Sequence, residues 1–560
     1  MLVPAFRIAR WRPTQLFIRW GILLAAAAAF QAPAILFNVG IPTHDFLIHY
    51  HWAVEFSDAF AAGDPYPRWM GRAFYGLGEP ALLYYSPLFY VWTALLRPIT
   101  GNTWDAMRLV FLFSTFLTGI FGHRMLRTYA SESFSLLGGM CLQAAPMIIM
   151  LYHFAAELPW AVSFPILVAT LHYATRPGAF GKLIEIPISV CVCLLVMTHV
   201  LSAFMLILCL SCCFLVHLKI GKGVLRIGKP AWSWAISVAI GLLLSSVYLL
   251  PALTSLKYIS PGFYVGAIDM WTGFSFPLVT ALLSHMRWFA FQWIVSGAIL
   301  VCVAVATWLA MERPDHRDPL GRTMTFLLIA AWVSLFLASE LSAPFWLLVP
   351  QLQMLQFPYR FIYIASAAGV LANLLMLWET RQVQGGGAVA RALAAAPLAL
   401  SILLAGALDA KMIARDGQKL DLRSDDRSLY PGAREYLLRT AANEWRSHGE
   451  ANFQEHCKRN GLVCAPPGRT GDRIAFHIDT NRTQAILLPV FAFPAWRAGI
   501  NGAPVDIHVD RGLVSVRLPK GSDDIVLTWR RLPQERAGMW LTALAFVFCL
   551  FLSAWRLRRA

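Results

Sequence analysis

Ala81-Leu-Leu-Tyr-Tyr-Ser-Pro-Leu-Phe-Tyr-Val-Trp-Thr-Ala-Leu-Leu96 is the stretch on which the topology of this chain turns. It is apolar enough to pass for a membrane span, and counting it as one inverts everything downstream. Beyond it, cations gather in short clusters between apolar runs: Arg124/Arg127, Arg176/Lys182, Lys219/Lys222/Arg226/Lys229, Arg313/Arg317/Arg322, Arg381/Arg391 and Arg556/Arg558/Arg559. Cytoplasmic loops carry the excess of Lys and Arg. If residues 81–96 do not cross, all these clusters share a side with Arg7, Arg10, Arg12 and Arg19. The stretch therefore reads as a juxtamembrane or re-entrant helix within a long first outer loop, 39–103. Tyr84, Tyr85, Tyr90 and Trp92 would be its interfacial anchors.

The rest of the chain supports a membrane reading. Of 560 residues, 58% are hydrophobic and only 14% charged, against about 25% charged in a soluble domain. A span takes about 17–25 apolar residues. Twelve runs qualify, near 20–38, 104–123, 134–152, 158–175, 184–200, 202–217, 233–251, 289–310, 323–340, 361–378, 392–409 and 538–555. No cleavage site follows the first, so it reads as an uncleaved span. An even number puts both termini in the cytoplasm, and Arg556-Leu-Arg-Arg-Ala560 agrees. The net charge of +16 is orientation chemistry rather than a nucleic-acid surface.

The expected fold is thus a polytopic α-helical membrane protein. It divides into a transmembrane module, 1–409, a polar outer domain, 410–536, and a last span with a cytoplasmic tail, 537–560. The outer domain alternates apolar and polar residues at 473–478, 505–509, 514–518 and 525–529, with turns at Asn501-Gly502, Arg511-Gly512 and Lys520-Gly521. That pattern predicts a small antiparallel β-sandwich-like domain, periplasmic in a bacterial inner-membrane protein. Cys457 and Cys464 lie in this polar segment, where an oxidising compartment favours a disulfide. Cys191, Cys193, Cys209, Cys212 and Cys213 sit in apolar runs and read as packing residues.

Ionisable residues retained beside a membrane need a reason. His44-Asp45 follows the first span. Glu157 falls at the next outer turn and His199 at the one after. Two carboxylates and an imidazole at one depth suit a general base with a metal or acceptor clamp. Alternatively Asp45 caps a helix and His199 is structural. Arg360 starts the tenth span, and its planar fork suits a phosphate; a snorkelling arginine is the plain alternative. Arg68, Arg72 and Lys257 are weaker candidates of the same kind.

These motifs in order resemble the GT-C superfamily of membrane glycosyltransferases. Within it they are similar to bacterial membrane proteins called 6-pyruvoyl-tetrahydropterin synthase-related, and more loosely to YfhO-like membrane proteins. The resemblance rests on His44-Asp45, Tyr66-Pro-Arg-Trp69, Gly76-x-Gly78-x-Pro80, Tyr85-x-Pro-Leu88, Glu157, His199, Leu250-Pro-Ala-Leu253 and Phe357-Pro-Tyr-Arg360. Phe493-Pro-Ala-Trp496 before Asn501-Gly502 resembles the family's entry to its terminal β-domain, with Ala495 where glycine is usual.

The resemblance implies inverting sugar transfer from a polyprenyl-phosphate-linked donor to an envelope glycan, lipid or protein acceptor on the periplasmic face. Asp45 would be the base. Glu157 would bind acceptor or metal, with Asp45, Glu157 and His199 as ligands of a divalent cation (Mg or Mn). Arg360, with Lys257, would hold the phosphate, helped by His44, Arg68, Arg72 and His199. Glu157 lacks the paired D-x-E of oligosaccharyltransferases. Two other classes stay open: a lipid or polysaccharide transporter, and a non-catalytic envelope assembly protein.

Overall fold

A computed structural model describes residues 13–36, 45–154, 156–215, 218–221, 224–260, 273–276, 290–313, 315–382, 424–441 and 449–558, with scattered positions between 388 and 422. His44 and eight of the eighteen residues of the expected run 392–409 lie outside the described residues.

The membrane module begins with α1 (Pro13–Phe30), followed by α2 (Phe46–Ala61), α3 (Leu88–Thr100), α4 (Thr103–Leu126) and α5 (Glu132–Gln143). Then come α6 (Phe164–Thr175), α7 (Ile186–Thr198), α8 (Val200–Cys213), α9 (Lys229–Leu244), α10 (Ser246–Thr254), α11 (Ala290–Met311), α12 (Pro319–Ala338) and α13 (Ile362–Gln382). Among the described residues seven helices are long and apolar enough to cross a membrane, eight if the bent pair α9–α10 is one span. The segment Pro358–Gln382, which contains α13, is buried over most of its length and lies at the centre of the bundle.

The stretch 81–96 is not among the candidate spans. It folds as a short helix, Ala81–Tyr84, and then α3, which carries Arg97 and Pro98 in its last turn. The first outer loop also contains α2, whose face of Phe46, Tyr50, Trp52, Val54 and Phe56 is buried. Tyr66-Pro-Arg-Trp69 and the Gly76–Pro80 motif are scaffold. Met70 and Glu79 pair as a β-bridge. Gly78 has φ +79°, and a Cβ there would lie 2.2 Å from Trp69 Nε1; both conditions require glycine.

The α9–α10 pair bends by 81°. At the break, Ser245 and Ser246 Oγ both donate to the Leu242 carbonyl, at 2.9 and 3.3 Å, and such competition with the backbone bends helices. Pro251 in α10 has no N–H for the Val247 carbonyl four residues back. Arg68 Nη2 takes that carbonyl instead, at 3.1 Å.

The β-domain opens with α14 (Gly449–Arg459) after the strands β1 (Leu218–Gly221) and β2 (Val224–Ile227) have formed a hairpin in the membrane module. Its strands are β3 (Val463–Cys464), β4 (Gly468–Thr470), β5 (Arg473–Thr480), β6 (Gln484–Phe491), β7 (Trp496–Ile500), β8 (Ala503–Val505), β9 (His508–Asp510), β10 (Leu513–Leu518) and β11 (Gly521–Trp529). They form two antiparallel sheets, β6-β10-β9 and β3-β5-β11-β7-β8, with β4 also on β5. The single strand expected at 505–509 is two. β8 pairs with β7 in one sheet and β9 with β10 in the other, so the chain changes sheets at Asp506–Ile507. Cys457 and Cys464 are joined as a disulfide, tying α14 to β3. Ala495 is fully buried and is not among the positive-φ residues, so its turn accepts a side chain.

The last span, α15 (Pro533–Leu557), is mostly exposed on the outside of the bundle. Glu535 in its first turn makes a fully buried ion pair with Arg68 at 3.0 Å. Trp69 packs on Trp496 and Trp529, with ring centroids 5.2 and 5.7 Å apart. The outer loop thereby holds both the β-domain and the last span.

Candidate functional site

The site grows from four chain breaks. Asp45 precedes α2, and its side chain makes no capping hydrogen bond, so the capping role is not what holds it there. Glu157 follows a π-turn, Met150–Phe154, and then Ala156 at φ +53°. His199 separates α7 from α8 and caps α8 through Nδ1, which accepts from the Ser202 N–H at 3.3 Å. Arg360 sits in a single 3-10 turn, Pro358–Phe361, after Gln356 at φ +64°. A non-glycine residue with left-handed backbone costs roughly 1–2 kcal/mol, and such strain concentrates where function fixes the geometry.

Asp45, Glu157, His199 and Arg360 line one cavity of about 80 Å³, room for a phosphate group or a few waters. They share it with His49, Trp52, Tyr85, Gln356, Glu435 and Tyr436. The cavity therefore holds three carboxylates and one guanidinium. Arg360 is buried, with Nη1 donating to the Leu355 carbonyl at 3.0 Å. Its Nε is buried and, among the described residues, has no hydrogen-bond partner. Trp160 and Phe357 flank the guanidinium, each ring centre 5.5 Å away. A buried donor left unpaired beside a cavity suits an oxyanion.

The electrostatics are those of a crowded acidic pocket. Burial is the main cause that raises Glu157 to about 7; Arg360 opposes it and the neighbouring Asp45 adds to it. The Tyr359 hydroxyl donates to Glu157 Oε1 at 3.4 Å. Burial also raises Glu435, with Asp45 adding and Arg360 opposing. His49, buried and hydrogen-bonded through Nδ1 to the Tyr90 hydroxyl at 2.7 Å, is lowered to about 4 by burial, which Asp45 only partly offsets. It is neutral at pH 7.

The other candidates lie elsewhere. Arg68 is used by Glu535 and by the carbonyls of Leu82 and Val247. Arg72 pairs with Asp58 at 3.4 Å, in a cluster with Arg97 and Arg427. Lys257 is exposed against the Tyr258 ring. The expected metal set, Asp45, Glu157 and His199, lines the same cavity. Among the described residues no three His, Cys, Asp or Glu side chains are placed to hold an ion, and the His199 Nδ1 lone pair is engaged by the α8 N-terminus.

One wall of the cavity comes from residues 424–441, which sequence reading assigns to the outer domain. This strap packs on the loop 39–103. Tyr430 donates its hydroxyl to Glu55 at 2.8 Å, and the Ala433 N–H donates to Glu79 at 2.9 Å. Trp52 Nε1 donates to the other Glu79 oxygen at 2.9 Å. Burial raises Glu79 to about 8. Glu435 and Tyr436 are therefore site residues that sequence reading missed. Their only signal is Tyr430-Pro-Gly-Ala-Arg-Glu-Tyr436, an aromatic-rich turn in a polar segment.

Comparison with known proteins gives a family. No curated protein matches this chain. Among solved structures, the apo oligosaccharyltransferase of Archaeoglobus fulgidus aligns with TM-score 0.41 at 12% identity, over 71% of this chain and 56% of that one. ArnT from Cupriavidus metallidurans, bound to undecaprenyl phosphate, aligns with TM-score 0.29 at 14% identity, over 66% of this chain and 79% of that one. The chain thus spans little more than half the length of the oligosaccharyltransferase. The family model of the 6-pyruvoyl-tetrahydropterin synthase related domain, described as a membrane protein, matches residues 82–412, more than half of the chain. That segment contains Glu157, His199 and Arg360, and the chain belongs to this family of membrane proteins.

Proposed function

We propose that this protein is a glycosyltransferase that moves a sugar from a polyprenyl-phosphate donor to an acceptor hydroxyl. It would work on the periplasmic face of a bacterial inner membrane, with both termini cytoplasmic. The observation that carries this reading is the shared cavity: a carboxylate free of capping duty, a second carboxylate raised to about 7 and a buried guanidinium whose Nε has no partner among the described residues.

The geometry supports these roles as follows. The acceptor oxygen attacks the anomeric carbon, and Asp45 takes the proton that this oxygen sheds. The new carbon–oxygen bond forms as the bond from that carbon to the phosphate oxygen breaks. The electron pair leaves with polyprenyl phosphate, whose charge Arg360 meets with its free Nε–H. Attack from the side opposite the phosphate inverts the anomeric centre. Glu157, in its ionised form, accepts a hydrogen bond from the acceptor and orients it. Trp52, Tyr85 and Tyr436 supply aromatic faces for a sugar ring. The lipid tail stays in the bilayer while its phosphate waits at the interface.

The test is a profile of lipid-linked sugars in membranes with and without the gene. Removal of the gene should cause one polyprenyl-phosphate sugar to accumulate and one envelope glycan, lipid or protein to lose that sugar. Identical profiles would refute the proposal.

A further inference from the structure

A second cavity lies at the other end of the bundle. The span Leu158–Thr175 has Glu157 at its start and Arg176 just past its end, so the two cavities stand about 27 Å apart along an 18-residue helical run. The span α12 repeats the arrangement, with Pro319, Arg322, Phe326 and Ile329 at the second cavity and the cavity-lining loop with Gln356 and Arg360 beyond its far end. The second cavity measures about 470 Å³, within the usual range for small-molecule pockets.

Its lining is cationic above and apolar below. Among the described residues its ionisable groups apart from Tyr129 and Cys213 are Arg176, Arg322 and His316, and no Asp or Glu lines it. Arg176 shares its charge with Glu185 at 2.9 Å. Arg322 is exposed and, among the described residues, has no carboxylate within ion-pair distance. Its neighbour Asp318 is taken by Arg313 at 3.1 Å. The floor is an edge-to-face aromatic cluster, with Phe180 and Phe214 4.8 Å apart and Phe214 and Phe326 5.8 Å apart between ring centres. Phe180 is held there at φ +60°. Ile329 continues the floor along α12 into the bundle.

We infer that this cavity binds an anionic phospholipid, its phosphate on Arg322 and Arg176 and the start of its acyl chains over Phe326 and Ile329. The charge decides the headgroup class. With no carboxylate in the lining, nothing would hold the ammonium of a zwitterionic lipid, whereas a net-negative phosphodiester meets two guanidiniums. The depth decides between lipid and free phosphate. Arginines at the end of spans above an apolar floor match the headgroup boundary of a bilayer, where basic pockets between helices bind anionic lipid.

The experiment uses the full chain in detergent, stripped of lipid. It is titrated in separate arms with phosphatidylglycerol, phosphatidylcholine and inorganic phosphate, and read by native mass spectrometry and by Tm. The expected result is retained phosphatidylglycerol and a raised Tm, with neither from phosphatidylcholine or inorganic phosphate. Arg322→Gln should weaken phosphatidylglycerol binding about five-fold or more, the loss expected for one basic residue at a lipid surface. Ile329→Ser should weaken it through the chains. Equal retention of both lipids would overturn the inference. A Tm rise from inorganic phosphate alone would make this a soluble-anion site and also overturn it. So would unchanged affinity in both variants. The comparison of the two lipids on the unaltered chain stands even if a variant folds poorly.

Discussion

The two ends of the helical bundle carry opposite electrostatics. One cavity is lined by Asp45, Glu157 and Glu435 around a single arginine. The other is lined by two arginines and a histidine with no carboxylate. A membrane protein gains nothing from carboxylates beside lipid phosphates, so an acidic pocket at one rim needs a chemical purpose. Cations at the opposite rim are what the positive-inside rule and the proposed lipid site would call for. The contrast teaches that composition alone does not locate chemistry in this chain: the net charge is positive, yet the candidate site is its acidic exception.

The comparison can be broken most severely at the clamp that holds the acidic end together. Glu535→Ala leaves Arg68 buried and unpaired, and removing one partner of a buried pair costs about 3–5 kcal/mol. A marked fall in Tm is expected; an unchanged Tm would mean that the last span does not brace the acidic rim. The lone cation of the acidic cavity comes next. Arg360→Ala should weaken donor binding by about 1.5–3 kcal/mol, the worth of a hydrogen bond to a charged group. This is measurable by titration with a short-chain polyprenyl-phosphate sugar, and equal affinity would remove Arg360 from the phosphate role.

A pH series sharpens the contrast further. Glu157, raised to about 7, must be ionised to orient the acceptor. Turnover should fall about ten-fold per pH unit below that value, and Glu157→Gln should abolish the inflection. For stability the sign runs the other way. A carboxyl whose folded value is raised stabilises the protein below its unfolded value near 4.5 and loses that contribution as pH rises through about 7. The Tm of Glu157→Gln relative to the unaltered protein should therefore rise between pH 6 and 8. The smallest effect settles the side. Cys457 and Cys464, bonded to one another, should resist thiol labelling in intact cells until a reductant is added. Ready labelling without it would argue against an oxidising compartment around the β-domain.

Much of the site is legible because apolar runs end where they must. Asp45, Glu157, His199 and Arg360 are each the polar residue at a helix break, so a topology drawn from hydropathy and cation clusters puts them at one rim. The strap is not legible that way. Glu435 and Tyr436 reach the cavity only because Glu55 receives Tyr430 and Glu79 receives Ala433, and no local pattern announces partners so distant along the chain. Arg68 shows the same limit in reverse. Its surroundings in sequence suit a phosphate ligand, but its true partner is Glu535 at the start of the last span. In the β-domain, alternation marks the strands well. It does not show that the chain crosses between sheets at Asp506, because a strand that changes partners keeps its alternation.

The most direct measurement concerns Asp45. Cells lacking the chromosomal gene would carry either the unaltered chain or Asp45→Asn, matched for amount in the membrane, and their polyprenyl-phosphate sugars would be compared by mass spectrometry. The expected result is that Asp45→Asn leaves the donor accumulated as in cells with no copy, while the unaltered chain clears it. A donor pool cleared equally by both would show that sugar transfer, if it occurs, does not draw its base from the acidic cavity.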